Sequence, residues 1–575
     1  MKFDEVVSVL GEFGPYQKRI YFLLCLPAIT CYMQKLIYVF TMAVPDHRCA
    51  LPGLENDTYA PQNQHHAALI NASIPPHDSC HLIVTPLNVT DAFQLMSNGM
   101  ANMSLVYNAL NSSEHVTMGN QSHPETATCS RYVYDTSLFE TTITGQVKEL
   151  RAHATMILFA GSMFATLACQ PPADIFGRKT MLMVSFAVHA VASLVITWAT
   201  YYPVLVCFMF LNGMAATSVF ANAFVMGMEL VGPSKRVWTG YVIEIFFAFG
   251  LILLAPIAYL LRDWQQLQLV TAIFPFAFLS YWWLIPESPR WLLSRGRIQE
   301  AEAIIRTAAK VNKVTLPASV LDAKSLAVEK RESVLSICKH PILVFRFVVL
   351  CYNWFVISMA FYGLGLNVGS LGGSVHLNLF LTGVNEVVAN VLCICLLDRL
   401  GRRLVNSGLM LLSGISCTLT IFPLMYAPQS LQWITTVLAM FGRMCVAGAF
   451  ATIFIYSSEL YPTVIRNSGI GASSFCARVG SVISAYIAGL STVIEGDVGT
   501  ATPLLIFGLS SILAGGLLLA LPETLNRKMP ETVDDAINYT KNAADDARRD
   551  GYHLTQQDDP ARQQDDTSRQ QEQPL

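Results

Sequence analysis

The chain has 575 residues, of which 53% are hydrophobic and only 13% are Asp, Glu, Lys or Arg, with a net charge of -3. Ordinary soluble domains carry roughly a quarter charged residues. A chain of this length with so few charges lacks the polar surface that a water-soluble protein needs. The small net charge also gives no indication of nucleic acid or any other highly charged partner. The lipid bilayer is therefore its predicted environment.

The apolar runs predict an all-α membrane protein. Residues 1–19 mix acids and bases before the first run begins at Ile20, so they are predicted to be a cytoplasmic N-terminus and not a signal peptide. An apolar run of about 20 residues crosses a hydrocarbon core of about 30 Å. Strand-type alternation, which a membrane barrel requires, is absent. Twelve spans are predicted, at 20–44, 153–172, 180–200, 203–228, 237–261, 266–285, 341–366, 376–397, 404–426, 431–456, 468–493 and 502–521.

Polar segments divide these spans into predicted domains. The N-terminal six-helix half, 20–285, contains a long polar loop at 45–151. A charged, helical segment at 286–340 connects it to the C-terminal half at 341–521. The tail, 522–575, is rich in Gln, Asp and Arg and is predicted to be cytoplasmic and mostly disordered.

The positions of the bases indicate the orientation. Lys and Arg fall in alternate short loops and in 286–340, which predicts that both termini and this segment are cytoplasmic. The long first loop agrees, because N-glycosylation sequons belong on the opposite side. It contains six of them, at Asn56, Asn71, Asn88, Asn102, Asn111 and Asn120. It also contains Cys49, Cys80 and Cys129, of which two are expected to form a disulfide, with all three pairings open.

The two halves repeat each other. Asp174-Ile-Phe-Gly-Arg-Lys follows span 2, and Asp398-Arg-Leu-Gly-Arg-Arg follows span 8. Glu229 and Glu459 each precede an arginine by seven residues, and Pro-Glu-Ser at 286–288 corresponds to Pro-Glu-Thr at 522–524. The three acidic positions recur at offsets of 224, 230 and 236 residues. This regularity predicts a six-plus-six duplication, the architecture of the major facilitator superfamily.

These repeated turns suggest a gate. Glycine permits a tight turn, while the acids and bases can form charged contacts that hold one side of the bundle shut in one state and break in the other. The alternative is that they are merely basic cytoplasmic turns. The predicted gating residues are Asp174, Gly177, Arg178, Glu229, Arg236, Asp398, Gly401, Arg402, Glu459 and Arg466.

Longer motifs identify a family. The segments from Pro286 to Arg297 (PESPRWLLSRGR) and from Glu459 to Asn467 (ELYPTVIRN) stand in order with the turn from Asp398 to Arg403 (DRLGRR). The large first loop ends in Cys-x-x-Tyr-x-Tyr-Asp at 129–135. Together these motifs resemble the organic cation/anion/carnitine transporter family over roughly residues 1–535. The resemblance implies transport across the plasma membrane by alternating access.

Ionisable side chains at membrane depth mark candidate substrate contacts, because they are costly there unless they line a cavity or pair. The resemblance implies that Arg443 in span 10 pairs with another helix, since relatives with different substrates share a base there. Rings in span 7 combined with a carboxylate suit an amine through cation–π contact, with plain packing as the alternative. Glu386 and Asn390 share a helical face. The predicted substrate-binding residues are Lys35, Glu244, Trp354, Phe355, Tyr362, Glu386, Asn390 and Arg478.

The charge pattern bears on the substrate class. In the family that this chain resembles, cation-selective members carry Asp at the position of Arg478, and anion-selective members carry Lys at that of Asn390. A site with both Glu386 and Arg478 suits a zwitterion, with Glu386 at the amine and Arg478 at the carboxylate. The expected substrate is therefore a carnitine-like zwitterion or an organic cation. An organic-anion exchanger is the main alternative, favoured by Arg478 and Lys35 and opposed by Asn390.

Other function classes fit less well. Sugar porters share the Pro-Glu-Ser-Pro-Arg signal but lack a large glycosylated first loop. The sequence contains no His-Glu-x-x-His, Gly-x-Ser-x-Gly, phosphate-binding loop or Cys-x-x-Cys motif, so no enzyme activity, cofactor or metal is predicted. A channel or a non-transporting receptor stays open, as does the oligomeric state. The expected partners are a small organic ion and the lipid bilayer, and deletion beyond about residue 535 is expected to be tolerated.

Overall fold

The structure, a computed structural model, is helical through most of its length. It describes residues 3–43, 45–51, 54, 57–75, 81–83, 126–129, 131–136, 142–143, 151–199, 201–316, 340–370, 373–462, 465–494, 497–525, 527, 530 and 533–539. Within these residues, twelve helices are long and apolar enough to cross a membrane. Numbered TM1 to TM12, they are Pro15–Thr41, His153–Phe176, Arg178–Trp198, Tyr202–Leu230, Arg236–Leu260, Trp264–Leu284, Pro341–Leu366, Val375–Leu400, Arg402–Tyr426, Trp433–Leu460, Ser468–Leu490 and Val498–Leu518. The predicted fold class and all twelve spans are confirmed.

Several helices are longer than the apolar runs that predicted them. TM1 begins at Pro15, where proline suits the first turn because its missing N–H needs no partner there. TM2 continues to Phe176 after a break at Cys169, and TM8 continues to Leu400. Hydropathy detects only the lipid-embedded part of a helix, so these polar ends lay outside the predicted spans.

Small residues allow the closest helix contacts inside each half. A Cβ on Gly161 of TM2 would lie 2.1 Å from the carbonyl oxygen of Phe210 in TM4. A Cβ on Gly480 of TM11 would lie 2.2 Å from the carbonyl oxygen of Phe355 in TM7. Only glycine fits at such distances, as is common where membrane helices approach closely.

The first loop, together with 260–267, forms a separate compact unit. Its described strands β1 (His47–Cys49) and β4 (Tyr132–Tyr134) pair antiparallel, as do β2 (His81–Ile83) and β3 (Thr126–Thr128). Cys49 and Cys129 form a disulfide, which resolves the open pairing, and Cys80 lies outside the described residues. Asn71 is exposed on the helix Gln64–Ser73, whereas the other five loop sequons lie outside the described residues.

A buried ion pair lies inside this unit. The Arg48 guanidinium bonds to both carboxylate oxygens of Asp57, and His66 Nε2 lies 2.9 Å from Oδ1 of the same carboxylate. The backbone N–H of Leu51 donates to Asp57 at 2.8 Å. Burial raises the pKa of the Asp57 carboxyl, but hydrogen bonds from Arg48, Leu51 and His66 more than offset it, so the pKa lies below its ordinary value.

Short segments outside the bundle pack on it near both ends of the chain. The amino-terminal helix Phe3–Val9 buries Val6 against Ile305 of the helix Ile298–Asn312. Residues 533–539 are helical and bury Ala536 against Leu343 of TM7. The expectation that deletion beyond about residue 535 leaves transport intact stays a prediction, but Ala536 is only 1% exposed, so a packed segment crosses that boundary. Its apolar residues are few, but they are spaced to share one helical face.

Candidate functional site

Charged residues cluster where TM2, TM3, TM4 and the segment after TM6 meet. The Asp174 carboxylate pairs with Arg178 at 2.5 Å, and Glu229 at the end of TM4 lies 3.8 Å from the same guanidinium. Ser288 donates to Glu229 at 2.6 Å. Glu287 accepts the backbone N–H of Lys179 at 2.9 Å, which caps an otherwise unsatisfied donor at the start of TM3.

The C-terminal half repeats this cluster. Arg402 lies 3.4 Å from Asp398 and 3.3 Å from Glu459. Thr524 donates to Glu459 at 2.6 Å, as Ser288 does to Glu229. Glu523 accepts the backbone N–H of Arg402 at 2.8 Å and caps TM9. The duplication predicted from sequence therefore extends to the hydrogen bonds.

The turns themselves consist of single glycines. Gly177 joins TM2 to TM3 at φ +111°, and Gly401 joins TM8 to TM9 at φ +88°. A Cβ on Gly177 would lie 2.4 Å from Glu287 Oε2, and one on Gly401 would lie 2.6 Å from Glu523 Oε2. Each glycine thus supplies a backbone conformation that other residues rarely adopt, and room for the capping carboxylate.

Two of the predicted gating residues, Asp174 and Asp398, lie inside helices and not in the loops between them. They belong to the last helical turns of TM2 and TM8, because these helices extend beyond the apolar runs that predicted them. Their side chains are 53% and 76% exposed. Arg466 donates to the carbonyl oxygen of Tyr461 at 3.2 Å, and Arg236 begins TM5. The ion pairs described for these clusters join residues of the same half.

A buried ion pair lies deep in the membrane domain. Arg443 of TM10 donates to Oε1 of Glu386 in TM8 at 2.5 Å, and both side chains are almost fully buried. Tyr32 of TM1 donates to the same oxygen at 2.7 Å and accepts from Arg443 at 2.5 Å. Phe361 of TM7 lies beneath the guanidinium, 4.3 Å from its carbon. Arg443 therefore pairs as predicted, and its partner is Glu386, which sequence reasoning had assigned to the substrate.

Lys35 lies in an aromatic setting near this pair. Its Nζ donates to the Tyr362 hydroxyl at 3.4 Å and lies 5.9 Å from the ring centroid of Phe247. The Tyr362 ring packs against Phe159 of TM2 at 4.9 Å between centroids. Among the residues that the structure describes, Lys35 has no ion-pair partner within 4 Å. A buried ammonium group without a neighbouring carboxylate is energetically costly in a membrane and therefore unusual.

Glu244 and Arg478 complete the set of membrane-depth charges. Glu244 of TM5 is acted on electrostatically by Glu386, Lys35 and Arg478. Arg478 of TM11 leaves Nε without a hydrogen-bond partner among the described residues. Neither forms an ion pair within 4 Å in the described part of the chain. One acid and two bases, counting Lys35, thus remain uncompensated by short contacts.

Three predicted substrate contacts lie elsewhere. Trp354 is 1% exposed, donates to Ser457 at 2.8 Å and packs on Phe454, so its role is packing. Phe355 lines a groove between TM2, TM7 and TM11 that does not include Tyr362. Asn390 donates to the backbone carbonyl of Glu386 at 3.0 Å and is buried. Trp354 and Phe355 lie seven residues, about two helical turns, before Phe361 and Tyr362, so these TM7 rings have different surroundings.

Sequence reasoning missed Tyr32, Glu287 and Glu523. Tyr32 precedes Lys35 by three residues and so shares its helical face, which was the available signal. The two glutamates stood inside the repeated Pro-Glu motifs, but nothing in the sequence showed that they cap TM3 and TM9. Those contacts join residues more than 100 positions apart.

Comparison with known proteins decides the family. The chain matches the family model for sugar (and other) transporters over residues 97–534. It is 35% identical to the organic cation transporter protein of Drosophila melanogaster, covering 95% of this chain and 96% of that protein. It is 31% identical to human organic cation/carnitine transporter 2, covering 93% of this chain and 94% of that protein. The chain belongs to the organic cation/anion/carnitine transporter family of the major facilitator superfamily.

The solved structures agree on the fold of this transporter. The xylose transporter XylE of E. coli, in a partially occluded inward-open conformation, superposes with a TM-score of 0.56 at 14% identity. The match covers 89% of this chain and 99% of XylE. At this identity the likeness concerns the fold alone. The family resemblance and the major facilitator fold inferred from sequence are confirmed, and the chain is a twelve-span membrane transporter of a family that is not an enzyme class.

Proposed function

We propose that this transporter carries small organic cations or carnitine-like zwitterions across the plasma membrane by alternating access. The observation that carries the proposal is that some of the charges at membrane depth are paired with each other and others are not. Glu386 and Arg443 neutralise each other, whereas Glu244, Lys35 and Arg478 have no short ionic contact among the described residues. Charged groups at membrane depth that have no ionic partner are those from which an ionic substrate gains most by binding.

These charges suit the two ends of a zwitterion. Glu244 takes the place of Glu386 as the proposed partner of the substrate amine, because Glu386 Oε1 already accepts two hydrogen bonds. The rings of Tyr362 and Phe247, which already flank the Lys35 ammonium, can also contact an alkylated amine. Arg478 is the proposed partner of the carboxylate. The names of the fly and human relatives, an organic cation and an organic cation/carnitine transporter, support this substrate class.

A substrate panel tests the proposal. Uptake of labelled carnitine, betaine, tetraethylammonium and para-aminohippurate is measured in expressing cells, with trans-stimulation to distinguish a carrier from a channel or receptor. Arg478→Ala is expected to weaken the apparent affinity for the zwitterions by ~30-fold or more, since a desolvated ionic contact commonly contributes about 2–5 kcal/mol. Its effect on tetraethylammonium is expected to be small. Glu244→Gln is expected to impair both classes.

Matched surface variants provide the control. Arg306→Ala and Glu300→Gln remove the same charges from the exposed face of the helix Ile298–Asn312 and are expected to leave uptake unchanged. Uniform loss for every substrate in Arg478→Ala, at normal surface expression, would show that Arg478 only braces neighbouring helices. Preferential para-aminohippurate transport that needs Lys35 and Arg478 but not Glu244 would favour the organic-anion exchanger.

The gating role of the two repeated clusters is part of this proposal. Each cluster binds the ends of several helices of one half together, so each half can rock as a body about a central substrate site. The glycine turns and the Glu287 and Glu523 caps support that role because they fix the TM2–TM3 and TM8–TM9 junctions.

The proposed orientation places both termini in the cytoplasm and the first loop outside. The Cys49–Cys129 disulfide supports it, because disulfides persist in oxidising compartments. Glycosidase is expected to reduce the apparent mass of the protein, and replacement of the six loop asparagines should abolish that shift. Asn538→Gln, which alters a sequon near the end of the chain, is the matched control and should change nothing. An unchanged mass in glycosylation-competent cells would contradict the proposed orientation.

A further inference from the structure

A groove of about 760 Å³ lies between TM2, TM7 and TM11, away from the interior ion pair. Its walls are mainly apolar. Leu167 comes from TM2, Phe347 and Phe355 from TM7, and Phe475 from TM11. TM2 belongs to the N-terminal half, and the other two helices belong to the C-terminal half, so the groove straddles the boundary between halves.

Two cysteines from different helices line this groove. Cys351 of TM7 and Cys476 of TM11 both line it, are partly exposed and are free thiols. The Cys351 sulfur lies 3.7 Å from the hydroxyl oxygen of Ser473. Ser473 precedes Cys476 by three residues, so Cys476 shares the face of TM11 from which Ser473 contacts Cys351.

The donor set selects the ligand. Structural zinc sites need four ligands, yet the described part of the chain holds no cluster of three or more His, Cys, Asp or Glu side chains able to bind a metal. A monosubstituted trivalent arsenical needs only two thiols, because an organic group fills its third position. Soft thiol ligands also suit this soft element, as they suit soft metals.

We propose that Cys351 and Cys476 form a dithiol site for monosubstituted trivalent arsenicals, and that its occupation blocks transport. Two As–S bonds form as the arsenic–oxygen bond of the arsenical breaks. The two thiol protons leave with that oxygen as water. Arsenic stays trivalent and both sulfurs keep their oxidation state, so no oxidant or reductant is required.

The position of the groove explains the block, and this step rests on the proposed alternating access. The adduct is fixed to TM7 and TM11 and occupies space that faces Thr166 and Leu167 of TM2. Rocking of one half against the other changes the width of any groove between them. A rigid organic arsenic group in that space prevents TM2 from approaching the other two helices.

Phenylarsine oxide is the probe, applied to the purified full-length protein and to expressing cells. Mass spectrometry is expected to find a phenylarsenic bridge on the peptides of Cys351 and Cys476, and uptake is expected to be lost. A dithiol such as 2,3-dimercaptopropanol should restore uptake, whereas a monothiol should not. Cys351→Ser and Cys476→Ser, made separately, should each abolish the bridge and retain uptake in the presence of the probe.

Cys417→Ser is the matched control, because Cys417 is a buried membrane-helix thiol that does not line the groove. It should stay as sensitive as the unaltered protein. The proposal is overturned if no bridge forms at this pair, or if both groove variants lose uptake with the probe. A bridge that leaves uptake intact would overturn the block while leaving the substrate proposal untouched, because the adduct is detected without any substrate.

Discussion

Glu386 of TM8 and Arg443 of TM10 are paired in the membrane interior, with 2.5 Å between carboxylate oxygen and guanidinium nitrogen. Tyr32 of TM1 donates to that same oxygen and accepts from that guanidinium. An ion pair of the C-terminal half is thus tied by hydrogen bonds to the N-terminal half. Because each charge already has its partner, the main role of the pair is structural, as a contact that Tyr32 extends to the N-terminal half, and not to bind the substrate.

Breaking this pair from one side is expected to destabilise the protein. Glu386→Gln should lower the free energy of unfolding by about 3–5 kcal/mol, since the Arg443 guanidinium would stay buried without its counter-charge. Thermal unfolding of the purified protein in detergent measures the change. The double variant Glu386→Met with Arg443→Met removes both charges and should recover most of the stability. A double variant no more stable than Glu386→Gln would contradict the pair as the cause.

The sequence predicted the fold much better than the site, and the pair shows why. Each membrane helix is encoded locally, by about 20 apolar residues in a row, so all twelve were found. Glu386 and Arg443 are 57 residues apart, and Tyr32 is 354 residues from Glu386. Hydropathy finds the charges at membrane depth but not which helices bring them together. Tyr32 was missed because only ionisable side chains were weighed, although its hydroxyl joins the two halves.

The glycine turns are expected to tolerate no side chain. Gly177→Ala adds a strained backbone conformation, which costs about 1–3 kcal/mol, and a clash with the Glu287 carboxylate that caps TM3. Gly296→Ala has the strain without the clash, since φ is +73° and nothing lies within 4 Å. Gly240→Ala in TM5 has neither. Surface expression and unfolding temperature should therefore fall most in Gly177→Ala, less in Gly296→Ala and least in Gly240→Ala. Equal effects at Gly177 and Gly296 would show that the clash with the capping Glu287 carboxylate contributes nothing.

The buried acids of the clusters should matter more than the exposed ones. Glu459 contacts both Arg402 and Thr524 and is largely buried, whereas Asp398 is mostly exposed, and exposed ion pairs contribute about 0–1 kcal/mol. Glu459→Gln should lower the maximal uptake rate more than Asp398→Ala, with apparent affinity near that of the unaltered protein in both. Uptake kinetics normalised to surface expression measure this. A larger effect of Asp398→Ala would contradict burial as the property that decides which acid matters.

The first-loop unit is expected to resist mild acid. Asp57 has a pKa below its ordinary value, so its stabilising contacts are fully present above about pH 4 and are lost as pH falls through the lower, folded-state pKa. The protection factor of the backbone N–H groups around Arg48, which is the intrinsic exchange rate at each pH divided by the measured rate, should therefore be equal at pH 7 and pH 5. Asp57→Asn should lower it at both, because Arg48 loses its counter-charge. A lower protection factor at pH 5 in the unaltered protein would contradict the assignment.

The last described segment sets where the chain can be shortened. Arg346 of TM7 donates to the carbonyl oxygen of Ala536 at 2.6 Å, and Ala536 packs with Leu343 and Ile465. Truncation after residue 540 keeps these contacts and should preserve uptake and unfolding temperature. Truncation after residue 532 exposes Leu343 and Ile465 and removes an acceptor of Arg346. From apolar exposure alone, the free energy of unfolding is expected to fall by about 2 kcal/mol or more.

A point variant separates packing at this segment from tail length. Ala536→Asp in the full-length chain keeps every residue of the tail but places a carboxylate where the side chain is buried, so it should reproduce the loss caused by truncation after residue 532. Asp534→Ala, on a residue of the same helix that is not part of the apolar cluster, is the matched control and should leave the unfolding temperature unchanged. If Ala536→Asp and truncation after residue 532 both behave like the unaltered protein, the segment contributes nothing to stability and the original boundary near residue 535 stands.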